Sequence, residues 1–293
     1  MRTWKAITAA LAGILTLTTG LAAPAHASAS ALLPAAAAVD TPTVYGRAAY
    51  LIDASSGKVL FDDNGTERMP IASLTKTMTA YVVLKTAKPT DVVQIAPADV
   101  SYAEDGGGTT ADLRAGDRLT VNELLYGLML PSGADAAHAL ARTYGPGVDG
   151  FVAKMNATAR QLGMADTQYV NADGLPMPGS DGYSTARDQA LLAAKALELP
   201  LIKETAGTRY HSLEASGEHR SYSWRNTNRL LRTAPDAIGL KTGFTRAAGF
   251  CLAFASEQDG QRLVGVLLGE SDSSRRFATA GELLTWGASR QAA

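Results

Sequence analysis

The sequence has 293 residues, 46% of them hydrophobic and 19% charged, with a formal net charge of −1. That is an ordinary globular composition, with enough chain for one sizeable core or two smaller ones. The near-neutral charge speaks against nucleic acid as a partner, and the single cysteine, Cys251, excludes an internal disulfide.

Met1-Arg2-Thr3-Trp4-Lys5 is a short basic region, and Ala6 to Ala23 an apolar stretch rich in Leu and Ala. Ala25-His26-Ala27 fits the small-x-small rule for cleavage before Ser28. An uncleaved membrane anchor is the alternative, but the stretch spans a bilayer only marginally. Residues 1–27 therefore read as a signal peptide, 28–42 as a flexible Ala-rich lead-in, and 43–290 as one domain. No later segment approaches membrane-spanning length, so an exported protein without a stable membrane anchor is expected.

Residues 48–53 and 58–62, joined by Ala54-Ser55-Ser56-Gly57, read as a β-hairpin. From Ser73 the pattern turns helical, with Leu74, Met78, Tyr81 and Val82 on one face. Thr120-Val121-Asn122-Glu123 is a capping box opening a helix that Pro131 ends. Ser132, with Asp135 three residues on, reads as the cap of the next helix. Further helices are expected from Asp149 to Leu162, closing at Gly163, and from Ser184-Thr185 to just before Pro200. Beyond that point the chain turns to strands: 237–241 leading into Lys241-Thr242-Gly243, then Gly249 to Ser256 and Arg262 to Gly269 as a hairpin. Cys251 falls in a strand and reads as buried. A final helix carries Phe277, Leu283, Leu284 and Trp286. The expected fold is α+β: a mostly antiparallel sheet assembled from both ends of the chain, flanked by helices, with a helical insertion between.

Chemistry enters through three motifs in order: Ser73-Leu74-Thr75-Lys76, Ser132-Gly133-Ala134 and Lys241-Thr242-Gly243. Ser-x-x-Lys is expected about once by chance in a chain of this length, and Ser55-Ser56-Gly57-Lys58 is a second copy. Position separates them. Ser55 sits in a hairpin turn, whereas Ser73 opens a helix, where residues i and i+3 share a face. Lys76 would then sit one turn behind the Ser73 hydroxyl, ready to act as base if burial and a second cation, Lys241, lower its pKa. The helix start also supplies free N–H groups for an oxyanion. Ser132 lies between helices, where a hydroxyl can relay a proton. Gly243 lets a substrate approach the strand edge, and Lys241 and Thr242 can hold a carboxylate. The plainer readings are N-caps for Ser73 and Ser132, a solvated Lys76, and an edge-protecting Lys241. The three motifs together, each in a fitting element, describe a serine acyl-transfer site with a lysine base.

Over residues 43–288 the chain closely resembles the serine D-Ala-D-Ala carboxypeptidases, low-molecular-mass penicillin-binding proteins of cell-wall metabolism. The likeness extends beyond the motifs, through Tyr169-Val170-Asn171 with Gly174-Leu175-Pro176, Tyr183 to Asp188, Asn226-Thr227-Asn228, Gly239 to Thr245, and Leu283 to Gly287. It implies a penicillin-binding-protein/β-lactamase-like fold, no cofactor and no metal, and an extracytoplasmic enzyme acting on peptidoglycan stem peptides. Ser73 is then the nucleophile, Lys76 its base and Ser132 the relay. The N–H groups of Ser73 and Phe244 form the oxyanion hole, and Lys241, Thr242 and Gly243 line the substrate strand. Arg276, with Arg275 a close second, pairs with the substrate carboxylate. β-lactams would acylate Ser73 as mimics of the D-Ala-D-Ala end.

The family's second motif usually ends in asparagine, where this chain has Ala134; lower activity or altered substrate preference is expected from that. A D,D-transpeptidase or a weakly active penicillin binder is the alternative. A class A β-lactamase would need a glutamate between the second and third motifs, and neither Glu198 nor Glu204 sits in the expected Glu-x-x-x-Asn setting. His138, His211 and His219 lack zinc-ligand spacing, which argues against a zinc peptidase.

Overall fold

Alternation along three strands gives one sheet two buried faces. The computed structural model describes residues 40–291 apart from 180, 235 and 259; the expected signal segment and most of the lead-in lie outside the described residues. In chain order the elements are β1 (Ala48–Asp53), β2 (Val59–Asp63), a 3-10 turn (Ala72–Leu74), α1 (Thr75–Leu84), β3 (Val92–Gln94), α2 (Pro97–Asp105) and β4 (Arg118–Thr120). Then come α3 (Val121–Met129), α4 (Ala134–Tyr144), α5 (Gly147–Gln161), α6 (Ala186–Ala196), α7 (Pro200–Gly207), β5 (Tyr210–Leu213) and β6 (Tyr222–Arg225). The last are α8 (Leu230–Thr233), β7 (Ala237–Thr245), β8 (Gly249–Gln258), β9 (Gln261–Glu270) and α9 (Arg275–Gln291).

The main sheet is antiparallel with strand order β2-β1-β9-β8-β7, so both ends of the chain build it, as expected. Ala49 and Leu51 of β1, Leu252 and Phe254 of β8, and Leu263 and Leu267 of β9 point to a cluster with Phe277, Leu283 and Trp286 of α9. Their neighbours Ala48, Tyr50, Ala253, Ala255, Val264 and Val266 point the other way, into the larger core shared with α1, α3, α4 and α6. Gly265 pairs with Phe254, and a Cβ there would lie 2.3 Å from the Phe254 ring, so the glycine makes room for the aromatic. Cys251 is fully buried in β8.

The capping box forms as expected. Glu123 N–H donates to Thr120 Oγ1 at 3.2 Å, and Thr120 N–H donates to Glu123 Oε2 at 2.7 Å. Gly163, at φ +79°, follows the end of α5, and Thr185 caps α6 by accepting from Asp188 N–H. Three expectations are corrected. Ser73 lies inside the 3-10 turn rather than at the first position of α1, because Ala72 at φ +49° breaks the regular helix before it. Lys241-Thr242-Gly243 sits within β7, which runs on to Thr245. The segment after Pro200 is helical first, since the proline occupies the first turn of α7, where no N–H is needed.

Candidate active site

Two elements from distant parts of the chain meet at Gly243. A Cβ on that residue would lie 3.0 Å from Ile71 O and 3.1 Å from Ser73 N. A side chain there would crowd the Ser73 turn, so the glycine eases the close approach of edge strand β7 that places the first and third motifs side by side.

Lys76 is 1% exposed, and its Nζ donates to Ser73 Oγ at 2.9 Å and to the Asp173 carbonyl at 2.9 Å. The solvated-lysine reading is therefore wrong. The second partner comes from a loop built for the purpose. Asn171 Oδ1 accepts from the N–H groups of Asp173 and Gly174, and Asn171 Nδ2 donates to Leu175 O. Gly174, at φ +83°, packs so tightly on Ala72 that a Cβ would lie 1.9 Å from the Ala72 carbonyl oxygen. Thr79 Oγ1 fastens the same loop to α1 through Ala172 O at 2.6 Å. Asp173 was not among the expected site residues. The signal was the Asn171 to Leu175 stretch, whose turn-forming residues mark a held loop but not which carbonyl it presents.

Lys241 is likewise 1% exposed, although β7 is an edge strand, so it does not serve as an edge guard. Its Nζ donates to the Thr242 carbonyl at 2.9 Å. Burial lowers the pKa of Lys76, while the Asp173 and Asp135 carboxylates raise it. Lys241 is held well below the ordinary lysine range by burial, then by Lys76 and Arg276. Both motif lysines are thus held below the ordinary lysine range, chiefly by burial.

Ser132 does not cap α4, correcting the expectation. Gly133 takes the N-cap position, with no side-chain cap bond. Ser132 adopts φ +70°, and its Oγ is buried without a hydrogen-bond partner. Asp135 turns instead to the neighbouring strand of chain, accepting from the N–H groups of Ala111 at 2.8 Å and Leu113 at 3.0 Å. Thr109 completes the stitching: its Oγ1 donates to Ser132 O and its carbonyl accepts from Ala134 N–H, both at 2.8 Å. The burial of Asp135 raises its carboxyl pKa despite these bonds. Ala134 is fully buried under Gly108, whose Cβ, if it had one, would lie 3.1 Å from the Ala134 methyl.

Thr242 Oγ1 lies 2.7 Å from Thr227 Oγ1, and Thr227 N–H donates to Leu130 O at 3.1 Å. Thr227, inside the Asn226-Thr227-Asn228 triplet, thereby ties β7 to the end of α3. Arg276 Nη1 donates to Gly243 O at 2.9 Å and to Cys251 O at 3.0 Å, so this guanidinium lies against the third motif. Arg275, the close second, turns away to pair with Glu270 at 2.7 Å. Phe244 is exposed and stacks on Phe250 with ring centres 4.3 Å apart. A half-buried serine paired with a buried lysine, a free hydroxyl, a second buried lysine and an arginine at a strand edge together suit acyl transfer to serine at a carboxylate-terminated substrate.

Comparison with known proteins bears on this arrangement. The family described as D-alanyl-D-alanine carboxypeptidase (peptidase S11) matches residues 35–272. A D-alanyl-D-alanine carboxypeptidase of Streptomyces sp. (strain K15) is 34% identical over 264 residues, covering 86% of this chain and 90% of its own. One from Escherichia coli (strain K12) is 37% identical over 257 residues, covering 85% of this chain; the chain spans only 62% of that relative. Among solved structures, the Streptomyces K15 DD-transpeptidase superimposes with a TM-score of 0.82 at 33% identity, covering 86% of this chain and all of the other. A D-alanyl-D-alanine carboxypeptidase from Mycobacterium tuberculosis H37Rv gives a TM-score of 0.79 at 30% identity, covering 87% and 95%.

Proposed function

The chain belongs to the D-alanyl-D-alanine carboxypeptidase family, and on that premise we propose that it removes the terminal D-alanine of peptidoglycan stem peptides through an acyl-enzyme on Ser73. The observation that carries this reading is the 2.9 Å bond between Lys76 Nζ and Ser73 Oγ, with the lysine buried and held from behind by the Asp173 carbonyl.

Burial favours the neutral amine, which accepts the Ser73 proton as Oγ attacks the carbonyl between the two D-alanines. The N–H groups of Ser73 and Phe244 take the oxyanion. Ser132 Oγ, free of protein partners, passes the proton to the departing amine. Lys241, Thr242 and Arg276 hold the C-terminal carboxylate, with Gly243 leaving room for the substrate backbone. Water then cleaves the ester. β-lactams, with the same carboxylate and a strained amide, acylate Ser73 and stay.

Residues 1–27 act as an export signal and residues 43–290 as the catalytic domain, with the enzyme working on the cell-wall side of the membrane. Among the described residues no helix is long and apolar enough to cross a membrane. Glu198 pairs with Lys195 at 2.8 Å and Glu204 accepts from Tyr126 at 2.7 Å, which further weakens the β-lactamase reading.

The test is release of D-alanine from a diacyl-Lys-D-Ala-D-Ala peptide by residues 28–293, with Ser73→Ala as control. Release by the parent alone supports the reading, and release by both removes Ser73 from it. The similar Streptomyces K15 structure is that of a DD-transpeptidase, which motivates one more arm. Peptide products joined to an added amine, in place of hydrolysis, would favour transpeptidation.

A further inference from the structure

A cleft of about 650 Å³ adjoins the site, lined by Arg276, by Pro131 beside the relay serine and by Thr227, the partner of Thr242. Arg225, Arg229, Arg232 and Arg276 are among the residues that line it. Among the described residues Arg47, Arg68, Arg114, Arg118, Arg142, Arg220, Arg262 and Arg275 each have a carboxylate partner, while Arg160, Arg187, Arg209, Arg246 and Arg290, scattered outside the cleft, do not. The four in the cleft have none. The acid on the lining, Asp112, is taken by Arg220 at 2.5 Å. Arg225 rests on the Tyr210 ring, and Arg276 is fixed by backbone carbonyls. Arg229 lies close enough to Arg276 for its charge to depress the Arg276 pKa further, after burial. Cations gathered without anions raise the energy of the free protein, and a bound carboxylate relieves it.

The position gives the ligand. Resting on the function proposed above, Arg276 holds the carboxylate of the C-terminal residue, which is the residue that leaves. Arg276 also lines the cleft, so the side chain of that residue is held next to it. The methyl of D-alanine fills little of it. We propose that this cleft is a leaving-group subsite that selects D-residues carrying a side-chain carboxylate, and that the enzyme cleaves D-alanyl bonds to such residues. The chemistry is unchanged. Ser73 Oγ forms the ester as the C–N bond breaks, the serine proton ends on the departing amine, and water cleaves the ester.

The experiment compares two isosteric peptides, diacetyl-Lys-D-Ala-D-Glu and diacetyl-Lys-D-Ala-D-Gln, with the D-Ala-D-Ala peptide alongside. The expected kcat/KM ratio favours D-Glu by about fivefold, from one or two partly exposed charge pairs. The ratio should fall as salt is raised. It should approach unity in the Arg229→Gln/Arg232→Gln double variant and survive in Arg229→Lys/Arg232→Lys. Because each ratio is taken within one preparation, a general loss of activity does not imitate the effect. A parent ratio of one or less, with D-alanine still released from D-Ala-D-Ala, overturns the subsite alone. A salt-insensitive ratio, or one unchanged in the Gln variant, overturns it too. No release from D-Ala-D-Ala overturns the underlying function and the subsite with it.

Discussion

Lys76 and Asp173 meet through the main chain: the lysine Nζ donates to the Asp173 carbonyl at 2.9 Å, while the Asp173 carboxylate turns back to the Leu175 N–H and the Tyr102 hydroxyl. Although it makes no bond to the lysine, this carboxylate is the largest influence opposing the burial that lowers the Lys76 pKa. It also pushes the Tyr102 phenol up, after burial. Asp173→Asn keeps the Oδ1 acceptor and removes the charge. The Lys76 pKa then falls further, and the neutral base is reached at lower pH. The ascending limb of the pH profile for penicillin acylation should move to lower pH. An unmoved limb, or one shifted upward, would sink this account of the base.

Lys241 should trade stability for activity. Its folded pKa is depressed, so between that value and the unfolded value near 10.5 the unfolded chain binds more protons. Stability is highest above the unfolded pKa and falls as pH drops through the folded one. Lys241→Met removes the buried cation. At neutral pH it should stabilise the fold by about 1 to 4 kcal/mol, as apolar replacement of buried charge often does, and flatten that pH dependence. The same change should weaken substrate binding and raise KM. Denaturant melts at two pH values, set beside steady-state kinetics, check both halves. A variant less stable than the parent at neutral pH would contradict the argument.

Ala134 should resist the family's usual residue. The side chain is closed over by Gly108, and its N–H is held by Thr109 O. Ala134→Asn must push that loop aside, at an overpacking cost of about 1 to 3 kcal/mol. Thermal melts should show the loss, and the balance of acylation to turnover should shift as the stitched loop over Ser132 loosens. Unchanged stability would mean the pocket is larger than the packing indicates.

The fold was readable because its signals are local. Alternation in 48–53 and 249–269 gives the strands, and the Thr120–Glu123 box gives a helix start. Ser73 and Lys76 were readable because i and i+3 align in a tight 3-10 or α turn alike. What escaped depended on distant chain. Asp135 looked like the partner of a Ser132 cap, yet it is spent on Ala111 and Leu113 N–H groups that no local pattern brings there. The Asp173 carbonyl, the Thr227 hydroxyl and the free Ser132 hydroxyl likewise become visible only once α1, β7 and the 171–175 loop converge. The arginines of the cleft are scattered from 225 to 276, and charge totals do not show that they line one cavity.

The most direct measurement is the rate at which benzylpenicillin acylates the protein, followed by intact mass, in the parent and in Lys76→Met. The expected result is one added β-lactam located on the peptide containing Ser73, formed about 10² to 10⁴-fold more slowly in the variant, as loss of a general base costs. A label on another residue, or an unslowed Lys76→Met, would contradict the serine–lysine site.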